Sequence, residues 1–230
     1  MALADYILTA QDLVSDDSGT LTPERFERAV KAAVLRLSDR LPRDVVTEQT
    51  GVSGQRLAFA GTSWERGVST LKGIEYPVGN TPPTFLDAAD VQVLEKLDGT
   101  QEIGVADALP AASTVRIHYT AAHNVTAQQD TVPIAQRLGV SLLAASILAG
   151  QLASMYANQT NSTIAADAVE HKSKSELWAR REKEYERQAY ISWGLPPPSA
   201  SNAAQSSPAI AAGTVVSFTP RRGVKTWPVI

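Results

Sequence analysis

Residues 115–158 read VRIHYTAAHNVTAQQDTVPIAQRLGVSLLAASILAGQLASMYAN, and the change of period within them decides the fold class. Val115, Ile117 and Tyr119 alternate, as residues on one face of a strand do. After Asp130-Thr131-Val132-Pro133 the alternation gives way to a run that reads as a helix to about Asn158. Its small residues recur every fourth position, Ala145, Ala149, Ala153 and Ala157 in one row, Ser146, Gly150 and Ser154 in another. Rows of small side chains let a neighbouring backbone approach closely, which predicts the central helix of a bundle. The same run is long enough to cross a bilayer from Leu138 to Ala157, and between Leu138 and Asp167 the only charge is Asp167 itself. Ser141, Ser146, Gln151, Ser154 and Asn158 interrupt it, and alanine and glycine supply much of the rest. A buried helix is favoured over a membrane span.

Upstream, period two persists from Val45 to about Val125. Leu57 and Phe59 share a face, as do Ile74, Tyr76 and Val78, and Asp98-Gly99 reads as a hairpin turn between Val91–Leu97 and Gln101–Val105. Glycines and prolines punctuate the rest, so a small, mostly antiparallel β region is predicted. Before it come two helices. Leu3, Tyr6, Ile7, Ala10, Leu13 and Val14 fall on one face of the first, and Asp16-Asp17-Ser18-Gly19 supplies turn chemistry. The second opens with Thr22 as N-cap, Pro23 at the first helical position and Leu21 and Phe26 as a hydrophobic staple. Its face continues through Val30, Ala33, Val34, Leu37 and Leu41 to Pro42.

Downstream, Thr160–Thr163 is a polar break before a charged helix over about Ala165–Trp193. Glu170/Lys174 and Glu176/Arg180 are spaced as favourable pairs, and Leu177, Trp178, Tyr185 and Ile191 are its apolar contacts. Pro196-Pro197-Pro198 stops it. Ser199–Gly213 is a low-complexity run, followed by the β-prone Thr214–Thr219 and a basic, aromatic end. The chain therefore divides into N-terminal helices (1–44), a β-rich region (45–129), C-terminal helices (130–195) and a linker with an extended arm (196–230). The fold class expected is α+β, mainly an α-helical bundle with the β region inserted between its N-terminal and C-terminal helices.

The 230 residues carry a formal charge of -3 and no cysteine. That excludes disulfides, thiolate metal sites and cysteine nucleophiles, and it argues against a nucleic-acid-coating protein. The N-terminal Met1-Ala2-Leu3-Ala4-Asp5 lacks the pattern of a signal peptide. Three histidines, His118, His123 and His171, match no metal motif, no serine lies in a nucleophile elbow, and Gly51-Val52-Ser53-Gly54 is too generic for phosphate binding. Asp16-Asp17 reads as a turn rather than a catalytic pair. No catalytic, cofactor or metal site is predicted. The partner-binding candidates lie in the arm: Val215, Val216, Phe218, Arg221, Arg222, Lys225, Trp227 and Ile230. Apolar residues returning after a polar linker need somewhere to go, either a partner's sheet edge or a groove. The 18 residues from Pro196 to Gly213 span roughly 25 Å as a random coil. Two alternatives are a small membrane-associated protein anchored by residues 138–157 and a nucleic-acid-binding module using the basic tail.

The order of these pieces resembles the head–tail adaptor (connector, or head-completion) proteins of tailed bacteriophages over about residues 1–193. The likeness rests on the opening helix pair broken at Asp16–Gly19, on Gly73-Ile74-Glu75-Tyr76-Pro77, and on the strand Val115–His123. That strand leads through Thr131-Val132-Pro133 into the alanine-rich helix and then the Lys/Arg/Glu-rich one. The resemblance implies a non-enzymatic virion protein at the head–tail junction, made in the host cytoplasm. It would form a ring, a dodecamer by portal symmetry, that docks beneath the portal protein and holds a downstream neck or tail protein. Such a ring extends the DNA channel, with at most non-specific contact with passing DNA, no cofactor and no membrane partner.

Overall fold

The computed structural model describes residues 2–15, 19–59, 62–158 and 165–198, with side chains from Lys174 onward in the last segment. The chain divides into two units, 1–197 and 198–230, and the architecture below is that of the first. Asp16–Ser18, the side chains of Glu170 and His171, and the arm with its eight candidate residues lie outside the described residues.

Four helices build the first layer: α1 (Leu3–Leu13), α2 (Pro23–Arg40), α3 (Arg137–Asn158) and α4 (Ala165–Ser192). Thr22 has the extended backbone of an N-cap, but its side chain makes no cap bond. Its carbonyl closes the first turn instead, accepting from the Arg25 and Phe26 amides at 2.9 and 3.3 Å. Leu21 and Phe26 are both buried, as a staple requires. The α2 stripe of Val30, Ala33, Val34 and Leu37 packs with Tyr6, Ala10 and Val14 against α3. By length and composition α3 could cross a membrane, yet 67% of its most apolar window is buried within the protein.

The two small-residue rows of α3 divide the work. Ala145, Ala149 and Ala153 are buried in the helical core. Ser146 and Gly150 meet α4, where the Ser146 hydroxyl donates to the Glu182 carbonyl at 2.9 Å. Near the other end of the pair, Gly139 lies against Ser192 and Trp193, whose indole N–H donates to the Gln136 carbonyl at 3.1 Å. Of the residues expected to anchor α4, Trp178 and Tyr185 pack into the core, whereas Leu177 and Ile191 are exposed.

The second layer corrects the expected architecture. The protein is α+β, but it is not mainly a helical bundle with a small β insertion. A four-stranded antiparallel sheet holds its own core: β1 (Arg43–Ala58, 16 residues), β2 (Leu71–Glu75), β3 (Val91–Glu95) and β4 (Gln101–Ala121, 21 residues). A strand has only two hydrogen-bonding edges. β1 takes one edge of β4, so β2 and β3 lie end to end along the other, opposite Arg116–Tyr119 and Gln101–Val105.

The two long strands are interrupted in sequence by residues that look like turns. Gly51 and Gly54, at φ 73° and 80°, sit where β1 shifts register, so they are bulges within a strand. Pro110 sits in β4 between the segments covered by β2 and β3, where its missing N–H breaks no ladder on that edge. The bulges fold the β1–β4 ribbon back on itself. The Gln49 side-chain amide donates to the Ala58 carbonyl at 2.9 Å, although nine residues of straight strand would span about 30 Å. Leu57, Ile103 and Val105 are thereby brought into one core with Ile74, Val115, Ile117 and Tyr119.

A polar joint connects the layers. The His123 amide donates to the Ser38 hydroxyl of α2 at 2.8 Å. Its ring nitrogens face the Leu41 carbonyl at 2.9 Å and the Thr131 carbonyl at 3.0 Å. Arg43 Nε donates to the Ala122 carbonyl at 2.9 Å beside it.

Close helix approach gives the first prediction. A Cβ on Gly139 would overlap the Trp193 indole, so Gly139→Ala lowers unfolding stability by about 1–3 kcal/mol. A Cβ on Gly150 would meet only the tip of the flexible Glu182 side chain, at 2.8 Å. Gly150→Ala also gains about 1 kcal/mol of helix propensity and leaves stability nearly unchanged. Urea unfolding of the two variants side by side measures the contrast.

Candidate functional site

The surface with the most developed chemistry is a groove of about 830 Å³ across the helical layer. Arg25, Arg28 and Arg36 of α2 form one wall, and Glu182 and Glu186 of α4 the other. Ser146, Gly150, Gln151 and Ser154 of α3 make the floor, so the small residues that bring α4 close also leave the groove open.

The walls are incompletely matched. Arg36 reaches Glu186 at 3.8 Å, a long, half-exposed pair worth little by itself. Arg25 touches the Met155 sulfur at 3.4 Å, and Arg28 donates to the Glu24 carbonyl at 3.2 Å. Among the ion pairs of the described residues, neither guanidinium holds a carboxylate across the groove. On the opposite wall, burial and then the neighbouring Glu186 push the Glu182 carboxyl above its ordinary range, against the pull of Lys183 and Arg36. One wall thus offers guanidinium donors and the other an acid held in an unfavourable place. A partner with a carboxylate facing α2 and a cation facing α4 would relieve both.

The sheet carries a second charged array. Glu48 of β1, Arg116 of β4 and Glu75 of β2 run across three strands, with contacts of 2.9 and 3.5 Å. Glu75 is only 3% exposed, and His118 Nε2 and the Gly79 amide approach its carboxylate at 3.4 Å each. The Phe85 ring stands edge-on to His118, with centroids 5.0 Å apart. This array clips β1 and β2 to the central strand. His123, five residues on, belongs to the joint between the layers.

Val215, Val216, Phe218, Arg221, Arg222, Lys225, Trp227 and Ile230 lie outside the described residues, so none is placed near either array. Sequence reasoning passed over the groove, although a signal existed. Arg28 and Arg36 follow Arg25 by three and eleven residues, close to one helical face, and Glu182 and Glu186 are four apart. Nothing in sequence says that those two faces look at each other.

Two predictions follow from these charges. The favourable contribution of Glu182 is complete below the ordinary glutamate value of 4.5 and is lost as pH rises through its higher folded-state value. Glu182→Gln therefore raises the thermal midpoint at neutral pH, and the gain fades as the buffer is taken below pH 4.5. On the sheet, Arg116→Met takes the guanidinium from the buried Glu75 carboxylate, leaving it the 3.4 Å contacts with His118 and Gly79, and costs about 1–3 kcal/mol, the order of a lost hydrogen bond to a charged group. Glu48→Gln loses only an exposed pair, about 0.2–1 kcal/mol, and chemical denaturation of both variants ranks them.

No protein-family model matches the chain, and no curated protein shows significant similarity to it.

Proposed function

We propose that this chain is a structural virion protein that forms a ring at the head–tail junction of a tailed bacteriophage. It docks beneath the portal and links it to a neck or tail protein while extending the DNA channel. The order of elements supports the reading: an opening helix pair, strands, an alanine-rich helix entered through Thr131-Val132-Pro133, then a charged helix.

The observation that carries it is the two-walled groove. It is an open channel with basic and acidic sides over small residues, a shape suited to an extended or helical protein segment. Charge complementarity of this kind sets register and partner choice between subunits more than it sets affinity. A ring needs such a surface, because each copy must present one patch to the next and a different patch to the previous one. The burial of α3 inside the helical layer favours a core helix over the alternative of a membrane anchor.

The test is solution mass with and without a portal ring. The wild-type chain is expected to form a closed oligomer on the portal. The double variant Arg25→Glu/Arg28→Glu should lose assembly by at least tenfold in the concentration required, with its thermal midpoint nearly unchanged because Arg28 is exposed and the half-buried Arg25 makes only a weak contact with Met155. Assembly of the variant at wild-type concentrations removes the groove from the interface, and a wild-type chain that never joins a portal overturns the reading.

A further inference from the structure

Among the described residues, the outer edge of β1 is open, with β4 as its only neighbour in the sheet. From Arg43 to Glu48 it pairs with Ala121–Arg116 without a register shift. Among the described residues, no backbone group outside β4 bonds to those six positions. The stretch has no proline, no lysine and no bulge, and Val46 is 53% exposed, so what protects this edge is the charge of Arg43, Asp44 and Glu48 alone. Its charges are turned to other uses, Asp44 toward Lys72 at 2.6 Å and Glu48 toward Arg116 at 2.9 Å. Beyond Gln49 the bulges at Gly51 and Gly54 end the regular edge.

We propose that Arg43–Glu48 is the docking edge for Thr214–Thr219 of a second copy of this chain, added to the sheet as a further strand. The lengths match, six residues against six. The run Thr214-Val215-Val216-Ser217-Phe218-Thr219 is uncharged, with β-branched or aromatic residues at every position but Ser217, the composition that a pleated edge favours. Val216 and Phe218 fall on one side of such a strand, where the exposed Val46 offers an apolar cross-strand neighbour. The 15 residues of Ser199–Gly213 reach up to about 50 Å when extended, enough to cross to a neighbouring subunit. The inference rests on the reading of the chain as a self-associating subunit. A ring needs a head-to-tail contact, and an arm seated on the next copy's edge supplies one.

The natural chain has no cysteine, so introduced pairs report without background. The experiment combines Val46→Cys in the full chain with Val215→Cys, Val216→Cys, Ser217→Cys or Phe218→Cys, oxidises each concentrated protein and separates the products without reductant. Covalent multimers should form with a period of two along the arm, several-fold stronger for one alternating pair of positions than for the other. Equal yields at all four positions indicate random collision and overturn the proposal. So does a link confined to single chains, which would place the arm on its own subunit, and so does the absence of any link. Portal co-sedimentation of the wild-type chain is scored separately. Alternating multimers without portal binding keep the strand exchange and discard the head–tail reading, and portal binding without alternation does the reverse.

Discussion

Directional bonds centred on one imidazole, that of His123, join the two layers, with Arg43 bonding to Ala122 beside it. The ring nitrogens of His123 face two carbonyl oxygens, from the end of α2 and from the loop that leads into α3, while its own amide donates into α2 through Ser38. A neutral ring can donate to one of those carbonyls, and an imidazolium to both. The helical layer and the sheet have separate hydrophobic cores, so apolar burial fixes each layer internally but does little to set one against the other. That orientation falls to directional bonds. The groove on the helices and the edge on the sheet are thus related to each other through this joint and the chain segments that run beside it.

The same division of labour appears within each layer. Helix α4 is charged along most of its length, and its hold on α3 rests on Trp178 and Trp193 in the core, on the close approach that Gly139 admits, and on hydroxyls that donate across the gap, Ser146 to Glu182 and Ser175 to Ala153. Tyr185 adds a bond to the Leu13 carbonyl, tying the last helix back to the first at 2.8 Å. Packing and charge have thereby been separated. The buried contacts are apolar side chains, from Ala145 and Ala149 to Trp178 and Trp193, with a few hydroxyls, and most charged groups lie at the rim, where a neighbouring molecule would find them. A surface of that kind suits a component whose chemistry is attachment.

The helices were legible because their signals are local. Proline after a threonine cap, a staple of Leu21 and Phe26, and small residues every fourth position each say what the nearby chain does, and α2 and α3 form close to where those signals put them. The sheet was underestimated for the opposite reason. Gly51, Gly54 and Pro110 carry the composition of turns, and only the pairing partners, some fifty residues away for β1, make the first two into bulges and place the third in a gap between the segments that β2 and β3 cover. His123 was visible as a residue but not as a joint, since its two acceptors come from segments that sequence does not bring together. The groove was hidden likewise: each wall has a regular spacing, but their opposition is a fact of tertiary packing.

The placement of β4 last among the strands, with every other strand paired to it, has a consequence for how the chain is made. β1 has no partner until Glu102 has been synthesised, 44 residues after β1 itself ends, and its pairing is complete only at Ala121. At ordinary translation speeds the first wait alone is about 2–9 s. For that interval a 16-residue strand has both edges unsatisfied. Such a nascent segment is a natural client for a holding chaperone, and crowding many copies on one messenger would favour pairing between chains before pairing within them.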